Sequence, residues 1–162
     1  AQGQNIGDSI VALDQVENAK KILETAKEKG VKILLPVDHV ALVKSTNRVV
    51  KTAQLENGYT GLDIGRKTIK LFTQEIMKAQ QIIWNGPVGM YEDKRFKKGT
   101  IKIAKAVAKS GAYSIVGGGD SVSAINSIGV ADKINHLSTG GGASLKLMEG
   151  KVLPAVEVID TL

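Results

Sequence analysis

Two runs of three glycines are the part of this 162-residue sequence best suited to chemistry. VGGGDS ends in Asp120 and Ser121, and STGGGAS begins at Ser138. Each run follows a short apolar segment and precedes a helical pattern, although glycine is entropically costly to order. Glycines at the start of a helix let backbone N–H groups approach an anion, which the helix dipole also attracts. Both runs are therefore candidate phosphate-binding loops.

Asp120 is the candidate metal ligand of the first run. A carboxylate oxygen suits a Mg²⁺ ion that keeps several waters and also contacts phosphates. Ser121 adds a hydroxyl and a first-turn N–H group. Taken alone, this loop is equally well read as a tight turn in which Asp120 caps the helix. The presence of two such runs favours the phosphate-binding interpretation.

Other chemical motifs find no support in the sequence. The glycine runs lack the Gly-Lys-Ser/Thr of a Walker A loop, and neither GxGxxG nor GxSxG occurs. His39 and His136 are the only histidines, so a histidine-based metal site is not expected and both are assigned structural roles.

Short apolar segments alternate with amphipathic helical patterns along the chain. The sequence predicts strands at VKILLPV, YTGLDIG, QIIW, YSIV and NHLST, and a hairpin or irregular excursion between Asp38 and Gly58. Helices are predicted after the capping-box pattern Asp14–Glu17, from Thr68, and over residues 100–110, 120–128 and 143–148.

This alternation predicts an α/β fold built on a parallel sheet with helices on both faces, in three layers. Because the order opens with a helix, we expect the first strand–helix units of the sheet to be lacking. In such folds, ligands bind beyond the carboxyl ends of the strands. The tips GLDIG, WNGPVGMYE, VGGGDS and STGGGAS should therefore share one rim.

Composition narrows the class of protein. Apolar residues make up 43% and charged residues 23%, which is ordinary for a globular protein, and no run is long enough to span a membrane. Zero cysteines fit a reducing cytoplasm. The net charge of +6 is compatible with a polyanionic partner, but aromatic residues are only 4%, too few for base stacking. Lysines at helical spacing from Lys98 to Lys109 predict a solvated face, so nucleic-acid binding is a minor hypothesis.

Three longer motifs carry a family resemblance. In this order, WNGPVGMYE, IVGGGDS and HLSTGGGASLKLMEGKVLP resemble the C-terminal half of the phosphoglycerate kinases, and AKEKGVKILLPVD and GLDIG also fit. The resemblance covers essentially the whole chain. It implies a Rossmann-like nucleotide-binding domain and phosphoryl transfer from 1,3-bisphosphoglycerate to Mg-ADP, which yields 3-phosphoglycerate and ATP.

The resemblance also implies roles for individual residues. The residues expected to border adenine are Gly61, Leu62, Gly89 and Met90. Glu92 is expected to bind the ribose hydroxyls, and Asn85 to approach the polyphosphate. The terminal phosphates are assigned to Gly118, Gly119, Asp120 and Ser121, with Asp120 directing Mg²⁺. The phosphoryl group in flight is assigned to Gly118 and Gly119 together with the helix start at Gly140, Gly141 and Gly142.

This sequence departs from the family pattern in two places. Arg66 stands where the family usually has proline, and Met90-Tyr91 replaces the commoner Val-Phe. We interpret residues 1–162 as part of the nucleotide-binding domain, without the N-terminal domain that binds the phosphoglycerate, and expect this piece to be inactive alone. The full-length enzyme is expected to be a cytoplasmic monomer. A stand-alone nucleotide-binding or regulatory module is the alternative.

Overall fold

The computed structural model describes residues 1–153 and Glu157, apart from the side chain of Leu147. Pro154, which ends the third family motif, lies outside the described residues. The helices in the described part are α1 (Val16–Glu28), α2 (Arg66–Ile76), α3 (Lys98–Lys109), α4 (Gly119–Ile128) and α5 (Gly141–Met148). The strands there are β1 (His39–Val43), β2 (Arg48–Thr52), β3 (Tyr59–Ile64), β4 (Gln81–Asn85), β5 (Tyr113–Gly117) and β6 (His136–Ser138).

The predicted parallel sheet is confirmed in its C-terminal part. Strands β4, β5 and β6 lie side by side in sequence order, and both pairings are parallel. Helix α3 connects β4 to β5, and α4 connects β5 to β6. Parallel neighbours need such crossovers, and the carboxyl ends of all three strands consequently meet at one edge.

The core lies between this sheet and helices α2, α3 and α4. Val116 in the central strand is fully buried, and Trp84 contributes from the neighbouring strand. Ile103, Val107 and Ile125 pack against them from the helices. On the other face of the sheet, α5 adjoins a small depression lined by Ile83, Ile115, Leu145 and Met148. Helices therefore flank both faces of the sheet.

A separate antiparallel sheet holds β2, β1 and β3 in that order. The hairpin predicted for the Asp38–Gly58 region is confirmed as β1 and β2, and Asn47 adopts a positive φ of 54° in its turn. Strand β3 was expected in the parallel series, but it pairs antiparallel with β1. This pairing directs the end of β3 toward the start of α2.

The prediction of a buried strand at residues 31–37 is wrong. This segment forms no regular element, and its apolar side chains Val31, Ile33, Leu35 and Val37 are exposed. An apolar run becomes a strand only when a neighbour completes its hydrogen-bond ladder, and no strand in the described part pairs with it.

The predicted capping box at Asp14 is also not formed. Residues Leu13–Gln15 make a 3₁₀ turn, and α1 begins after it with no side-chain cap. The Asp14 carboxylate instead accepts a hydrogen bond from Gln15 Nε2 at 2.9 Å. A capping residue needs extended backbone, whereas the 3₁₀ turn places Asp14 in a helical conformation. In the described part of the chain, no helix combines the length and apolarity needed to cross a membrane.

Candidate functional site

The two glycine runs contact each other at the carboxyl edge of the parallel sheet. The Gly118 N–H group donates to the Ser138 carbonyl at 3.0 Å. A Cβ atom added to Gly141 would lie only 2.7 Å from Gly118 Cα, so a side chain there would collide with the first loop. The expectation that both glycine runs share one rim is confirmed, but the GLDIG tip was expected on the same rim and instead ends β3 of the antiparallel sheet.

Both helices begin at this contact, and the N–H groups of their first turns have no hydrogen-bond acceptor among the described residues. In α4 the first intrahelical bond runs from Val122 N–H to Gly118 O at 3.0 Å, and in α5 it runs from Ser144 N–H to Gly140 O at 3.0 Å. The N–H groups of residues 119–121 and 141–143 precede those bonds. Gly118 has a φ of +93°, a conformation that side chains rarely adopt. Two helix dipoles therefore present their positive ends to one place.

Asn85 joins this edge from the end of β4. A Cβ atom on Gly118 would lie 2.8 Å from Asn85 Oδ1, and one on Gly141 would lie 3.1 Å from it. The amide side chain therefore packs directly on the backbone of both glycine runs. The structure thus brings Asn85 together with the residues to which the resemblance assigns the phosphates.

Ser121 is placed differently from its neighbour Asp120. Asp120 is exposed in the first turn of α4, whereas the Ser121 side chain is completely buried. Ser121 Oγ accepts a hydrogen bond from Gly86 N–H at 2.7 Å, and Trp84 Nε1 donates to the Gly86 carbonyl at 2.6 Å. The Ser121 hydroxyl thus holds the loop after β4 in place.

A cavity of about 390 Å³ lies between β3 and the loop after β4. The four residues expected to border adenine all line it, namely Gly61, Leu62, Gly89 and Met90. The Met90 N–H group donates to the Leu62 carbonyl at 2.9 Å and joins the two walls. The adenine role itself stays a prediction.

Glu92 does not line this cavity. Its side chain is exposed and borders a neighbouring depression. This depression lies between the start of α3 and the end of α4 and is also lined by Tyr91, Lys97 and Ser127. The Tyr91 hydroxyl lies 3.0 Å from Ser123 Oγ, so this loop is attached to α4. Glu92 follows Met90, which lines the cavity, by two residues in the chain. Its ribose role stays a prediction.

Asp63 is the residue that the sequence analysis missed. It lines the cavity, is only 5% exposed, and accepts hydrogen bonds from Ile64 N–H and Gly99 N–H, both at 2.8 Å. Burial raises the pKa of Asp63, and the backbone hydrogen bonds offset only part of that effect. The signal that could have identified Asp63 was a carboxylate near the end of an apolar strand, in the GLDIG motif.

No residue cluster in the described part holds a metal ion unaided. No group of three or more histidine, cysteine, aspartate and glutamate side chains is placed to do so there. His39 lines the cavity beside β3, and His136 is exposed at the start of β6. Neither histidine belongs to such a group. At the glycine edge, the proposed metal ligand is the single carboxylate of Asp120.

A parallel α/β sheet whose carboxyl edge carries two glycine-lined helix starts is typical of domains that bind phosphorylated ligands. The family model for phosphoglycerate kinase matches residues 1–151. The chain belongs to the phosphoglycerate kinase family.

Individual relatives agree with this assignment. The chain is 49% identical to the phosphoglycerate kinase of Clostridium tetani over 99% of its own length and 41% of the relative, and 50% identical to that of Finegoldia magna over 99% and 42%. Phosphoglycerate kinase from Coxiella burnetii superimposes with a TM-score of 0.90 at 36% identity, covering 97% of this chain and 42% of that one. Phosphoglycerate kinase from Pyrococcus horikoshii OT3 superimposes with a TM-score of 0.78 at 35% identity, covering 91% of this chain and 36% of that one. The chain therefore spans about two fifths of the length of these relatives.

Proposed function

We propose that this chain is the nucleotide-binding part of a phosphoglycerate kinase, which transfers a phosphoryl group from 1,3-bisphosphoglycerate to Mg-ADP. The observation that carries the proposal is the direct contact between the two glycine loops at Gly118 and Gly141. That contact aims two helix N-termini at one point. Phosphoryl transfer depends mainly on positioning and on neutralising charge, which such an arrangement supplies.

The nucleotide follows the edge of the sheet in this proposal. Adenine occupies the cavity lined by Leu62 and Met90, where apolar side chains offer a surface for the base. Met90 suits this position because its side chain is flexible and apolar. The phosphates then lie past Asn85 at the starts of α4 and α5. Glu92 accepts hydrogen bonds from the ribose hydroxyls.

Mg²⁺ fits the residues at this edge. The ion prefers one or two carboxylates together with substrate phosphates and several waters, rather than a complete cage of protein ligands. Asp120 offers one exposed carboxylate beside the first-turn N–H groups of α4. When bound, the ion neutralises charge on the phosphates. Asp120 orients it, and the glycine N–H groups hold the phosphate oxygens.

The remaining assignments belong to the same proposal. The second substrate, 1,3-bisphosphoglycerate or 3-phosphoglycerate, is bound by a part of the enzyme outside these 162 residues. The enzyme is a cytoplasmic monomer of glycolysis.

The direct test is ATP formation by the full-length gene product from 1,3-bisphosphoglycerate and ADP, with and without Mg²⁺. We expect Mg²⁺-dependent turnover that an excess of chelator abolishes. A full-length protein that binds ADP but transfers no phosphoryl group would favour a nucleotide-binding or regulatory module. A protein that does not bind ADP would contradict the proposal as a whole.

A further inference from the structure

The carboxylate of Asp63 connects two segments beside the candidate adenine cavity. It lies at the end of β3, directly after Leu62, which lines the cavity. Its Oδ1 atom accepts from Ile64 N–H at 2.8 Å, within its own strand. Its Oδ2 atom accepts from Gly99 N–H at 2.8 Å, at the start of α3. One side chain thereby joins β3 to α3.

Two glycines close on the same carboxylate. A Cβ atom on either Gly89 or Gly99 would contact Asp63 Oδ1, so both backbones pack directly against it. Gly89 belongs to the opposite wall of the cavity, and Met90 next to it donates to the Leu62 carbonyl at 2.9 Å. The spacing between the two walls therefore depends on the place that the Asp63 carboxylate occupies.

Burying this carboxylate is unfavourable, and an apolar residue of similar size would fill the space at lower cost. What an apolar residue could not do is accept hydrogen bonds from two N–H groups in fixed directions. The raised pKa of Asp63, caused first by burial, agrees with a group whose ionised form is not optimised for stability. The geometry of the carboxylate is thus the property with a use at this site.

We propose that Asp63 is a positioning residue for the adenine cavity, which sets the wall at Gly89 and Met90 against the wall at Gly61 and Leu62. This inference rests on the proposed function. Its alternative is that Asp63 only caps α3 and has no effect on the cavity. The two interpretations differ in which ligand they affect, because a displaced wall weakens binding of the base but not binding of phosphates at the start of α4 and α5.

The test compares Asp63→Asn with Asp38→Asn in the full-length gene product. Asp38 is a matched control because its carboxylate accepts from two N–H groups, Lys67 at 2.9 Å and Thr68 at 2.8 Å, at the start of α2. Asp38 does not itself line the cavity. Binding of ADP and of inorganic tripolyphosphate is measured by calorimetry on protein shown to be folded by circular dichroism.

We expect Asp63→Asn to weaken ADP binding by about tenfold, since an amide keeps only one acceptor oxygen for the two N–H donors. Tripolyphosphate binding should change by less than about twofold, and Asp38→Asn should leave both affinities within about twofold. If Asp63→Asn does not fold, Gly99→Ala replaces it, because the new methyl group displaces the carboxylate while retaining its charge. The same selective loss of ADP binding is then expected.

Unchanged ADP affinity in a folded variant would overturn the inference and leave the proposed function intact. Equal losses for ADP and tripolyphosphate would also overturn it, because they would indicate a general disturbance. Failure of the unmodified full-length protein to bind ADP would instead overturn the proposed function, and the inference with it.

Discussion

At the scale of single residues, the candidate phosphate site is built mainly from backbone groups. The Ser121 hydroxyl accepts a hydrogen bond from Gly86 N–H, and Asn85 packs on the backbones of Gly118 and Gly141. Asp120 contributes an exposed carboxylate in the first turn of α4. Because every substitution except proline keeps the backbone N–H group, Asp120 is the most informative side chain of the proposed site.

Asp120→Asn should lower Mg²⁺-dependent ATP formation by the full-length enzyme by about a hundredfold or more, because the proposed carboxylate ligand becomes neutral. The free energy of unfolding should fall by less than about 1 kcal/mol, since the N-cap of α4 is Gly118 and the change removes only the interaction of a first-turn charge with the helix dipole. Steady-state kinetics at saturating Mg-ADP and urea denaturation measure the two effects.

Asp132→Asn is the matched control, because Asp132 is exposed in the 3₁₀ turn Ala131–Lys133 on the far side of α4. It should leave turnover unchanged. If Asp120→Asn has no more effect than this control, Asp120 acts only as an acidic first-turn residue that interacts with the dipole of α4, whose N-cap is Gly118.

Asp38 predicts how stability responds to acid. Burial favours a higher pKa for Asp38, but hydrogen bonds from Thr68 Oγ1 and from the N–H groups of Lys67 and Thr68 outweigh it and lower the pKa. A lowered folded-state pKa means that the carboxylate stabilises the fold above its unfolded pKa, about 3.9. This stabilisation is lost as the pH falls from there through the folded-state pKa.

Asp38→Asn should therefore reduce the free energy of unfolding at pH 7 by about 1 kcal/mol, as for loss of a helix cap. The difference between the two proteins should shrink below about pH 4. Urea titrations at pH 7, 5 and 3 measure it, on a protein with proven reversible unfolding. A difference that is constant over this range would show that ionisation of Asp38 does not contribute.

At the scale of elements, the starts of α4 and α5 act as one unit because their loops contact each other. Gly141→Ala should push the loops apart, since its methyl group would lie 2.7 Å from Gly118 Cα. We expect a loss of about 1–3 kcal/mol in the free energy of unfolding, typical of an overpacked site. Gly142→Ala is the control, because nothing lies within 4 Å of a Cβ atom there.

In that control, alanine should be neutral or stabilise α5, since it is a better helix former than glycine. Urea denaturation of both variants measures the difference in their free energies of unfolding. Equal stability of the two variants would contradict the close contact between the loops.

The helix start at Arg66 explains one departure from the family pattern. Arg66 is the first residue of α2, where the N–H group has no intrahelical partner. Proline is common at that position for the same reason, so another residue there keeps the helix. Asp38 satisfies the following N–H groups, which means that the cap of α2 comes from a distant part of the chain.

At the scale of the whole molecule, the proposed site residues all serve the nucleotide. The chain spans about 41% of the length of its Clostridium tetani relative. Transfer requires both substrates to be held in line and shielded from water. We therefore expect residues 1–162 alone to form no detectable ATP from 1,3-bisphosphoglycerate and Mg-ADP, whereas the full-length gene product does.

A coupled assay for ATP measures this difference, with both proteins at equal concentration. Turnover of the shorter protein within about tenfold of the longer one, a difference of only about 1.4 kcal/mol in activation free energy, would show that these residues bind both substrates. The exposed apolar residues around α1, such as Ile22, Val31 and Leu35, make the folded state of the short protein a necessary control.

Local patterns in the sequence were sufficient for the elements from Thr68 to Met148. Their helices have regular apolar spacing, and glycine ends α4 at Gly129 in the left-handed conformation. The glycine runs were also recognisable, because the position of a loop after a strand in a parallel sheet decides where it lies. The family motifs then added roles for Leu62, Asn85 and Glu92 that no spacing indicates.

Contacts between distant residues decided the rest. The sequence does not show that β3 pairs with β1 rather than with the parallel strands, because strand pairing depends on partners and not on the apolar pattern alone. The same holds for residues 31–37, which are apolar enough for a strand but have no partner among the described strands. Asp63 and Ser121 acquired their places in the same way. Each bonds to an N–H group about 35 residues away in the chain, and such long-range hydrogen bonds exist only once the chain has folded.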